Sequence, residues 1–239
     1  MSAAISAREA SGGAPHHASR HHVDVWEVVH EPWERDVAPR MLSDSERGFA
    51  ARLRVGAGAW AASRVALRRI LGRYLGLAPM QVALEIGPNG KPRLAPDRSP
   101  DLRFNLSHSD DLALIAIRPG LEVGVDVERR RSGVDGISVL RHVLDPHEHE
   151  ALAAPGTEES GEGFFRSWVR REALAKATGR GIVSPPAPGD AARFTVRDLD
   201  GIPGFAAAVA SEGDDWSVRR AGPSLARMGG PALDPREAP

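Results

Sequence analysis

The sequence predicts a mixed α/β fold, and three stretches support that prediction. Residues 112–117 are apolar throughout and are bounded by turn residues, which is typical of a buried strand. Residues 123–128 alternate between valine and small or acidic residues, as a strand with two different faces does. Residues 164–178 repeat apolar side chains at helical spacing and are followed by Gly179, which indicates a helix with a glycine C-cap.

The N-terminal part of the chain predicts a strand followed by two helices. Residues 1–22 are rich in Ala, Ser, Gly and His without periodicity, so we expect a disordered arm. Residues 23–29 form the first predicted strand. Ser43 and Glu46 make a capping-box pattern for a helix that runs to about residue 54. A second helix follows Gly58, and its apolar residues at helical spacing are Trp60, Leu67, Ile70, Leu71 and Tyr74.

The remaining elements are shorter. Residues 83–86 predict a strand, Pro88–Gly90 a turn, and residues 95–100 a loop that leads to the strand pair 112–117 and 123–128. Helical patterns follow at 137–144 and 145–154. We expect the last three strands to complete a second sheet, at residues 193–197, 205–210 and 216–219.

The domain organisation follows from these elements. A chain of 239 residues can bury a substantial core. We expect a disordered arm at 1–22, an N-terminal α/β half at 23–120, a C-terminal α/β half at 121–220 and a disordered tail at 221–239.

Composition excludes several classes of protein. The chain has no cysteine, so disulfide scaffolds and thiolate metal sites are excluded. No apolar run approaches the roughly 18 residues of a membrane-spanning helix, and the N-terminus lacks the apolar core of a signal peptide. We therefore expect a soluble cytoplasmic protein that does not insert into membranes.

Charge is unevenly distributed. Seven arginines and no acidic residue lie between Arg47 and Leu84. Such a segment suits an anionic partner, for example a phosphorylated small molecule, a nucleic acid or an acidic protein. Arginines also occupy solvated helix faces without a specific role, and both interpretations stay open at this point.

Residues 123–128 place two carboxylates on one strand face. Asp126 and Glu128 are two residues apart, so their backbone positions are roughly 7 Å apart on the same side. Gly124 precedes them on that face and leaves room for a bulky neighbour. Hard oxygen ligands of this kind suit Mg²⁺, whereas a plain solvated face is the alternative.

The helix at 164–178 carries a second candidate group. Its apolar stripe consists of Phe165, Val169, Ala173 and Ala177. Trp168, Glu172 and Lys176 form a row at i, i+4 and i+8 along the border of that stripe. Glu172 and Lys176 could also simply pair with each other.

Four motifs occur in a recognisable order: Gly90-Lys-Pro92, then Phe104-Asn-Leu-Ser-His-Ser109, then Gly124-Val-Asp-Val-Glu128, then Trp168-Val-Arg-Arg-Glu-Ala-Leu-Ala-Lys176 with Ala177-Thr-Gly-Arg-Gly181. In order and spacing they resemble the 4′-phosphopantetheinyl transferases, in particular the long, monomeric surfactin-type branch. The resemblance extends more loosely from about residue 26 to residue 220.

The resemblance implies a fold and an activity. The fold would be two similar α/β halves related by pseudo-twofold symmetry, with the cofactor between them. The enzyme would move the 4′-phosphopantetheine arm of coenzyme A to a serine of an apo acyl, peptidyl or aryl carrier protein and release adenosine 3′,5′-bisphosphate.

The resemblance also implies roles for individual residues. Mg²⁺ would be held by Asp126, Glu128 and Glu172. Lys91 and His108 would bind the 3′-phosphate side of coenzyme A, Ser107 would also bind the cofactor, and Lys176 would contact the pyrophosphate. Arg64 matches a basic cofactor-binding position by approximate location. Glu172 is also the candidate catalytic base, because a carboxylate beside the metal can accept the serine proton, and a metal-bound water is the alternative base.

Two departures and two alternatives accompany this interpretation. Arg171 replaces the more usual lysine and keeps the charge with a different geometry, and Ala173 replaces a common serine. A metal-dependent nuclease or phosphodiesterase could use similar carboxylates, and a non-catalytic protein could keep only the binding of coenzyme A or carrier. We expect a monomer that binds coenzyme A and a carrier protein and no nucleic acid.

Overall fold

The computed structural model describes residues 18–30, 42–87, 91–95, 101–131, 162–180 and 189–221. The predicted turn at 88–90, the loop at 96–100, the helices at 137–144 and 145–154, and most of both tails lie outside the described residues. The described strands are β1 (His22–Val29), β2 (Leu84–Ile86), β3 (Pro92–Leu94), β4 (Leu102–Ser109), β5 (Leu112–Pro119), β6 (Val123–Arg129), β7 (Phe194–Asp198), β8 (Phe205–Glu212) and β9 (Ser217–Ala221). The described helices are α1 (Asp44–Ala50), α2 (Ala57–Leu75), α3 (Glu162–Thr178) and the single turn α4 (Asp190–Arg193), with a 3₁₀ turn at Pro79–Gln81.

The first sheet has four strands in the order β4-β5-β1-β9. β5 pairs antiparallel with both β4 and β1, whereas β9 runs parallel to β1. Helix α2 packs on one face of this sheet through Leu67, Ile70 and Leu71, which are fully buried together with Ile115 and Ile117. The helical spacing of those side chains in the sequence is therefore what attaches α2 to the sheet.

The second sheet has three strands in the order β6-β8-β7, all antiparallel. Helix α3 covers one face with the predicted stripe of Phe165, Val169, Ala173 and Ala177, which packs on the alanines of β8. The valines of β6 turn to the opposite face and join Val23, Val25 and Leu114 of the first sheet in one core. Alternation along β6 therefore separates a sheet-to-sheet core from a face directed at α3, as predicted.

These observations confirm the mixed α/β class, and the pseudo-twofold relation between halves stays a prediction. No helix among the described residues is long and apolar enough to cross a membrane. Helix α1 has the predicted capping box, in which Ser43 and Glu46 satisfy each other's backbone groups. It ends at Ala50, however, rather than near residue 54.

Two expectations about strands are wrong. The strand at 217–221 does not complete the second sheet; it joins the first, because its backbone pairs with β1 and the guanidinium of Arg219 binds both oxygens of the buried Asp24 at 2.6 and 2.7 Å. The expected pair 112–117 and 123–128 also separates, since β5 belongs to the first sheet and β6 to the second. Strand β4 was not predicted at all, because its polar residues obscure the pattern of a buried strand.

Gly124 lies where α3 crosses β6. A Cβ added at this position would lie well under 3.0 Å from the carbonyl oxygen of Ala173 and the backbone nitrogen of Ala177. The bulky neighbour expected beside Gly124 is therefore the backbone of helix α3. This close approach brings α3 near enough for its side chains to reach the carboxylates of β6.

Candidate active site

Strands β4 and β6 lie next to each other where the two sheets meet, and polar side chains of β4 bind β6. The Ser107 hydroxyl donates to Oδ1 of Asp126 at 2.7 Å, and the Ser109 hydroxyl donates to Oε2 of Glu128 at 3.0 Å. Asn105 accepts a hydrogen bond from the backbone N–H of Val125 at 2.9 Å. Three alternate residues of one strand thus orient the two predicted metal ligands of the other.

Helix α3 supplies the other charged groups of the cluster. The Lys176 ammonium lies 2.5 Å from Oδ1 of Asp126, 3.0 Å from the Ser107 hydroxyl and 3.6 Å from Oε2 of Glu172. Asp126 and Glu172 are both buried. The predicted pair of Glu172 and Lys176 is present, but it is one side of a larger cluster that includes both sheets.

Burial and mutual repulsion govern the electrostatics of the carboxylates. Burial, with the charges of Asp126 and Glu128, raises the pKa of Glu172 to about 7. Burial and then the Asp126 charge raise the pKa of Glu128, and burial raises the pKa of Asp126 although Lys176 opposes the shift. Burial alone would lower the pKa of Lys176, but the three carboxylates together raise it. One ammonium therefore faces three acidic groups.

The donor set fits a hard divalent cation. Oδ2 of Asp126 is buried with no hydrogen-bond partner, which is costly for a carboxylate oxygen and indicates a missing ligand. Carboxylate oxygens are the ligands that Mg²⁺ prefers. Within the described ranges, no three His, Asp or Glu side chains are already arranged to hold a metal ion. The chemistry of the residues thus fits the ion, while their present arrangement is centred on Lys176.

Arg64 and His108 form a cationic region beside this cluster. The Arg64 side chain is 8% exposed, its Nε is buried without a hydrogen-bond partner, and its guanidinium lies over the Trp60 ring at 5.0 Å. Burial, followed by the charges of Lys176 and Arg64, lowers the pKa of His108. A buried guanidinium with an unsatisfied donor, next to a histidine within the field of two cations, is suited to an anion.

Arg68, one helical turn after Arg64 on α2, has the opposite environment. Its guanidinium donates to Oε2 of Glu46 at 2.9 Å and to the carbonyl oxygen of Val82 at 2.7 Å. Both members of this ion pair are buried. The contrast separates Arg68, whose donors bind groups of the chain, from Arg64, whose buried Nε has no hydrogen-bond partner.

Lys91 has a different environment from the one predicted. The resemblance implies a phosphate ligand at this position, but only 24% of the Lys91 side chain is exposed. Its ammonium donates to the carbonyl oxygens of Lys176 at 2.9 Å and Val123 at 3.2 Å and to Oε2 of Glu122 at 3.2 Å. All three protons of the ammonium have acceptors within the chain.

The structure thus brings most of the predicted residues together. Asp126, Glu172, Lys176 and Ser107 are in one cluster, Glu128 interacts with it electrostatically, and His108 and Arg64 border it. Sequence reasoning missed Asn105 and Ser109 as the residues that orient β6. The period-two spacing of Asn105, Ser107 and Ser109 was the pattern that could have identified them.

Comparison with known proteins agrees with this geometry. Residues 122–221, which contain Asp126, Glu128, Glu172 and Lys176, match the model of the 4′-phosphopantetheinyl transferase superfamily. This region of the chain is thus similar to that superfamily. The predicted family is therefore confirmed, and its surfactin-type branch stays a prediction.

Curated relatives carry the same family name. The chain is 43% identical over 123 residues to the 4′-phosphopantetheinyl transferase HetI of Nostoc sp., covering 51% of this chain and 52% of that protein. It is 30% identical over 130 residues to the human L-aminoadipate-semialdehyde dehydrogenase-phosphopantetheinyl transferase, covering 51% and 42%. It is 31% identical over 118 residues to the transferase psf-1 of Bacillus pumilus, covering 49% and 48%. The matched region spans about half the length of these relatives.

Proposed function

We propose that this chain is a 4′-phosphopantetheinyl transferase that moves the phosphopantetheine arm of coenzyme A to a serine of an apo carrier protein. One observation carries the proposal: the charges of Lys176, from the buried cluster with Asp126 and Glu172, and of Arg64, whose buried Nε has no partner, both act on His108. Phosphoryl transfer depends on charge neutralisation and on an oriented nucleophile more than on covalent chemistry by the protein.

The cationic region would bind the phosphates of coenzyme A. Arg64 has a buried Nε without a partner, and His108 can gain a proton when a phosphate dianion enters its surroundings. The charge of Lys176 acts both on His108 and on the carboxylates. Its ammonium would therefore bind the pyrophosphate of coenzyme A. The Ser107 hydroxyl, now bound to Asp126, supplies a further hydrogen-bonding group at the same place.

Asp126, Glu128 and Glu172 would hold Mg²⁺. When bound, the ion would neutralise charge on the pyrophosphate and on the departing bisphosphate as a Lewis acid. Asp126 presents a buried oxygen with no partner, and Ser107 and Ser109 fix the orientation of Asp126 and Glu128.

Glu172 would also accept the proton of the carrier serine. In the step, the serine oxygen forms a bond to the phosphorus that carries pantetheine, the bond from that phosphorus to the bridging oxygen breaks, and adenosine 3′,5′-bisphosphate leaves with the electron pair. The serine proton passes to a Glu172 oxygen. Glu172 is on the border of the α3 stripe, so its backbone is fixed by the core while its carboxylate faces the cluster.

The carrier protein would dock on the arginine-rich surface of α1, α2 and the turn between them. Arg52 and Arg54 are exposed there, beside the exposed apolar side chains of Phe49 and Val55. A surface that combines positive charge with apolar groups suits an acidic carrier helix.

This docking surface predicts that the KM for the carrier protein rises with added salt, because salt screens exposed charges. A KM that is independent of salt would contradict a charged docking surface.

One experiment tests the proposed function. The protein is incubated with coenzyme A, Mg²⁺ and a panel of apo carriers from fatty acid, polyketide and non-ribosomal peptide assembly, and each carrier is weighed intact. We expect the mass of one phosphopantetheine on at least one carrier, and none on the same carrier with its serine replaced by alanine. A nuclease or phosphodiesterase would cleave its substrate without any carrier, and a non-catalytic binding protein would bind coenzyme A without altering carrier mass.

The pathway served, the monomeric state and the cytoplasmic location stay predictions.

A further inference from the structure

The ammonium of Lys91 joins three segments that are distant in the sequence. Lys91 directly precedes β3, Val123 is the first residue of β6, and Lys176 belongs to the last turn of α3. The hydrogen bonds to the Val123 and Lys176 carbonyl oxygens and to Glu122 therefore link the region before β3 to the start of β6 and the end of α3.

The bond to Lys176 has a specific physical reason. The carbonyl oxygens of the last helical turn have no backbone N–H donor within the helix. The helix dipole also gives that end a partial negative charge. An ammonium that binds one of these carbonyls stabilises the helix end on both counts. The Lys91 side chain is also mostly removed from water, so the bonds are made in a medium that strengthens them.

The position of these bonds matters for the carboxylate cluster. At Gly124, the residue after Val123, the backbone of α3 lies too close to β6 to leave room for a side chain. Asp126 lies two residues farther along the same face of β6, and Lys176 reaches it from α3 at 2.5 Å. A shift of the α3 end relative to the start of β6 would therefore move Lys176 and Glu172 away from Asp126.

We propose that Lys91 is a positioning residue that holds the C-terminal end of α3 against the start of β6 and thereby sets Lys176 and Glu172 opposite Asp126. This inference rests on the proposed transferase function, and it differs from the phosphate-binding role that the resemblance implies for Lys91. To bind a phosphate, the ammonium would first have to release at least one of its three acceptors.

The test compares Lys91→Met and Lys91→Arg with His108→Ala. Methionine keeps the length and apolar stem of lysine without its donors, and arginine keeps the charge. For each variant, kcat and KM are measured with coenzyme A and with dephospho-coenzyme A, well below the melting temperature, which is recorded by thermal unfolding.

A positioning role predicts a specific pattern. Lys91→Met should lower kcat by about tenfold or more with both donors, lower the melting temperature, and leave the preference for coenzyme A over dephospho-coenzyme A within about twofold of wild type. Lys91→Arg should recover part of the lost kcat, with the donor preference again unchanged. His108→Ala should do the reverse: it should reduce the donor preference through KM and leave the melting temperature nearly unchanged.

The opposite pattern would overturn the inference. If Lys91→Met keeps wild-type kcat and melting temperature but loses the donor preference, Lys91 is a phosphate ligand. If Lys91→Met does not fold, Lys91→Arg decides: an unchanged donor preference with reduced kcat supports positioning, and a lost preference contradicts it. Failure of the proposed function itself would be recognised separately, because wild-type protein would then transfer nothing while the melting temperatures would still report the Lys91 bonds.

Discussion

The ammonium of Lys176 lies 2.5 Å from Oδ1 of Asp126, at the place where α3 crosses β6. Through this contact the Lys176 ammonium compensates part of the charge of three carboxylates. The other oxygen of Asp126 is buried without a partner. Lys176 therefore contacts the same carboxylates that the proposed function assigns to Mg²⁺.

Glu172→Gln should separate the two roles of Glu172. The amide keeps one ligating oxygen but cannot accept a proton, so a general base would lose roughly 10²- to 10⁴-fold in kcat while the affinity for coenzyme A changes little. Steady-state kinetics with coenzyme A and the apo carrier, repeated at raised Mg²⁺, measure this. Recovery of the wild-type rate at raised Mg²⁺ would contradict the assignment of Glu172 as the base and leave it a metal ligand.

Arg64 and Arg68 provide a matched pair one turn apart on α2. Arg64→Met should weaken coenzyme A binding and leave the melting temperature of the free protein unchanged or higher, because it removes a buried charge with an unsatisfied donor. Arg68→Met should lower stability by about 3–5 kcal/mol, because Glu46 would remain buried without its partner. Thermal unfolding and calorimetric titration with coenzyme A distinguish the two. A large loss of stability in Arg64→Met would show that Arg64 is structural.

The environment of His108 predicts that the protein takes up a proton when coenzyme A binds. In the free protein burial, with the charges of Lys176 and Arg64, holds the pKa of His108 below its ordinary value, so the ring is neutral at pH 7. A bound 3′-phosphate would raise that pKa, so binding takes up a proton and affinity falls as the pH rises through the pKa of the complex. Calorimetry in two buffers of different ionisation enthalpy measures the uptake.

The control for this prediction is His108→Ala. The phosphate also changes its protonation on binding, so the quantity of interest is the difference in proton uptake between wild type and the variant. That difference should be present with coenzyme A and absent with dephospho-coenzyme A. Equal uptake by wild type and variant would place the 3′-phosphate away from His108.

Gly124→Ala tests the crossing of α3 and β6. The added methyl group would overlap the backbone at Ala173 and Ala177, so we expect a loss of about 1–3 kcal/mol or more, together with reduced transfer as Lys176 is displaced. Gly48→Ala is the matched control, because a Cβ there meets nothing within 4 Å and alanine favours the helix α1 by about 0.5–1 kcal/mol. Chemical denaturation measures both. Equal stability of the two variants would contradict the close approach.

The sequence was sufficient where a periodic pattern and its structural cause coincide. The stripe of α3 from Phe165 to Ala177 is buried as predicted, and the alternation of β6 separates the Val123 face from the Asp126 face as predicted. The capping box at Ser43 also forms. In each case the information lies within a few residues, so it can be read locally.

The features that were missed depend on contacts between distant segments. Strand β9 pairs with β1, almost 200 positions earlier in the chain, so nothing near Ser217 indicates its partner. Lys91 follows a turn signature, and only the folded chain brings it to the end of α3. The alternation of polar residues in strand β4 is visible in the sequence, but the carboxylates of β6 that Ser107 and Ser109 bind are not.

The most direct test of the central claim is the stoichiometry of metal-dependent transfer. Wild-type protein, coenzyme A and an apo carrier found active in the mass assay are mixed after removal of divalent metal, and Mg²⁺ is then added back, with Asp126→Ala treated in the same way. Released adenosine 3′,5′-bisphosphate is quantified together with modified carrier. We predict neither product without metal, one bisphosphate per modified serine with Mg²⁺, and a loss of about 3–4 kcal/mol in transition-state stabilisation for Asp126→Ala. Bisphosphate release without a carrier, or full transfer by Asp126→Ala at limiting Mg²⁺, would contradict the account.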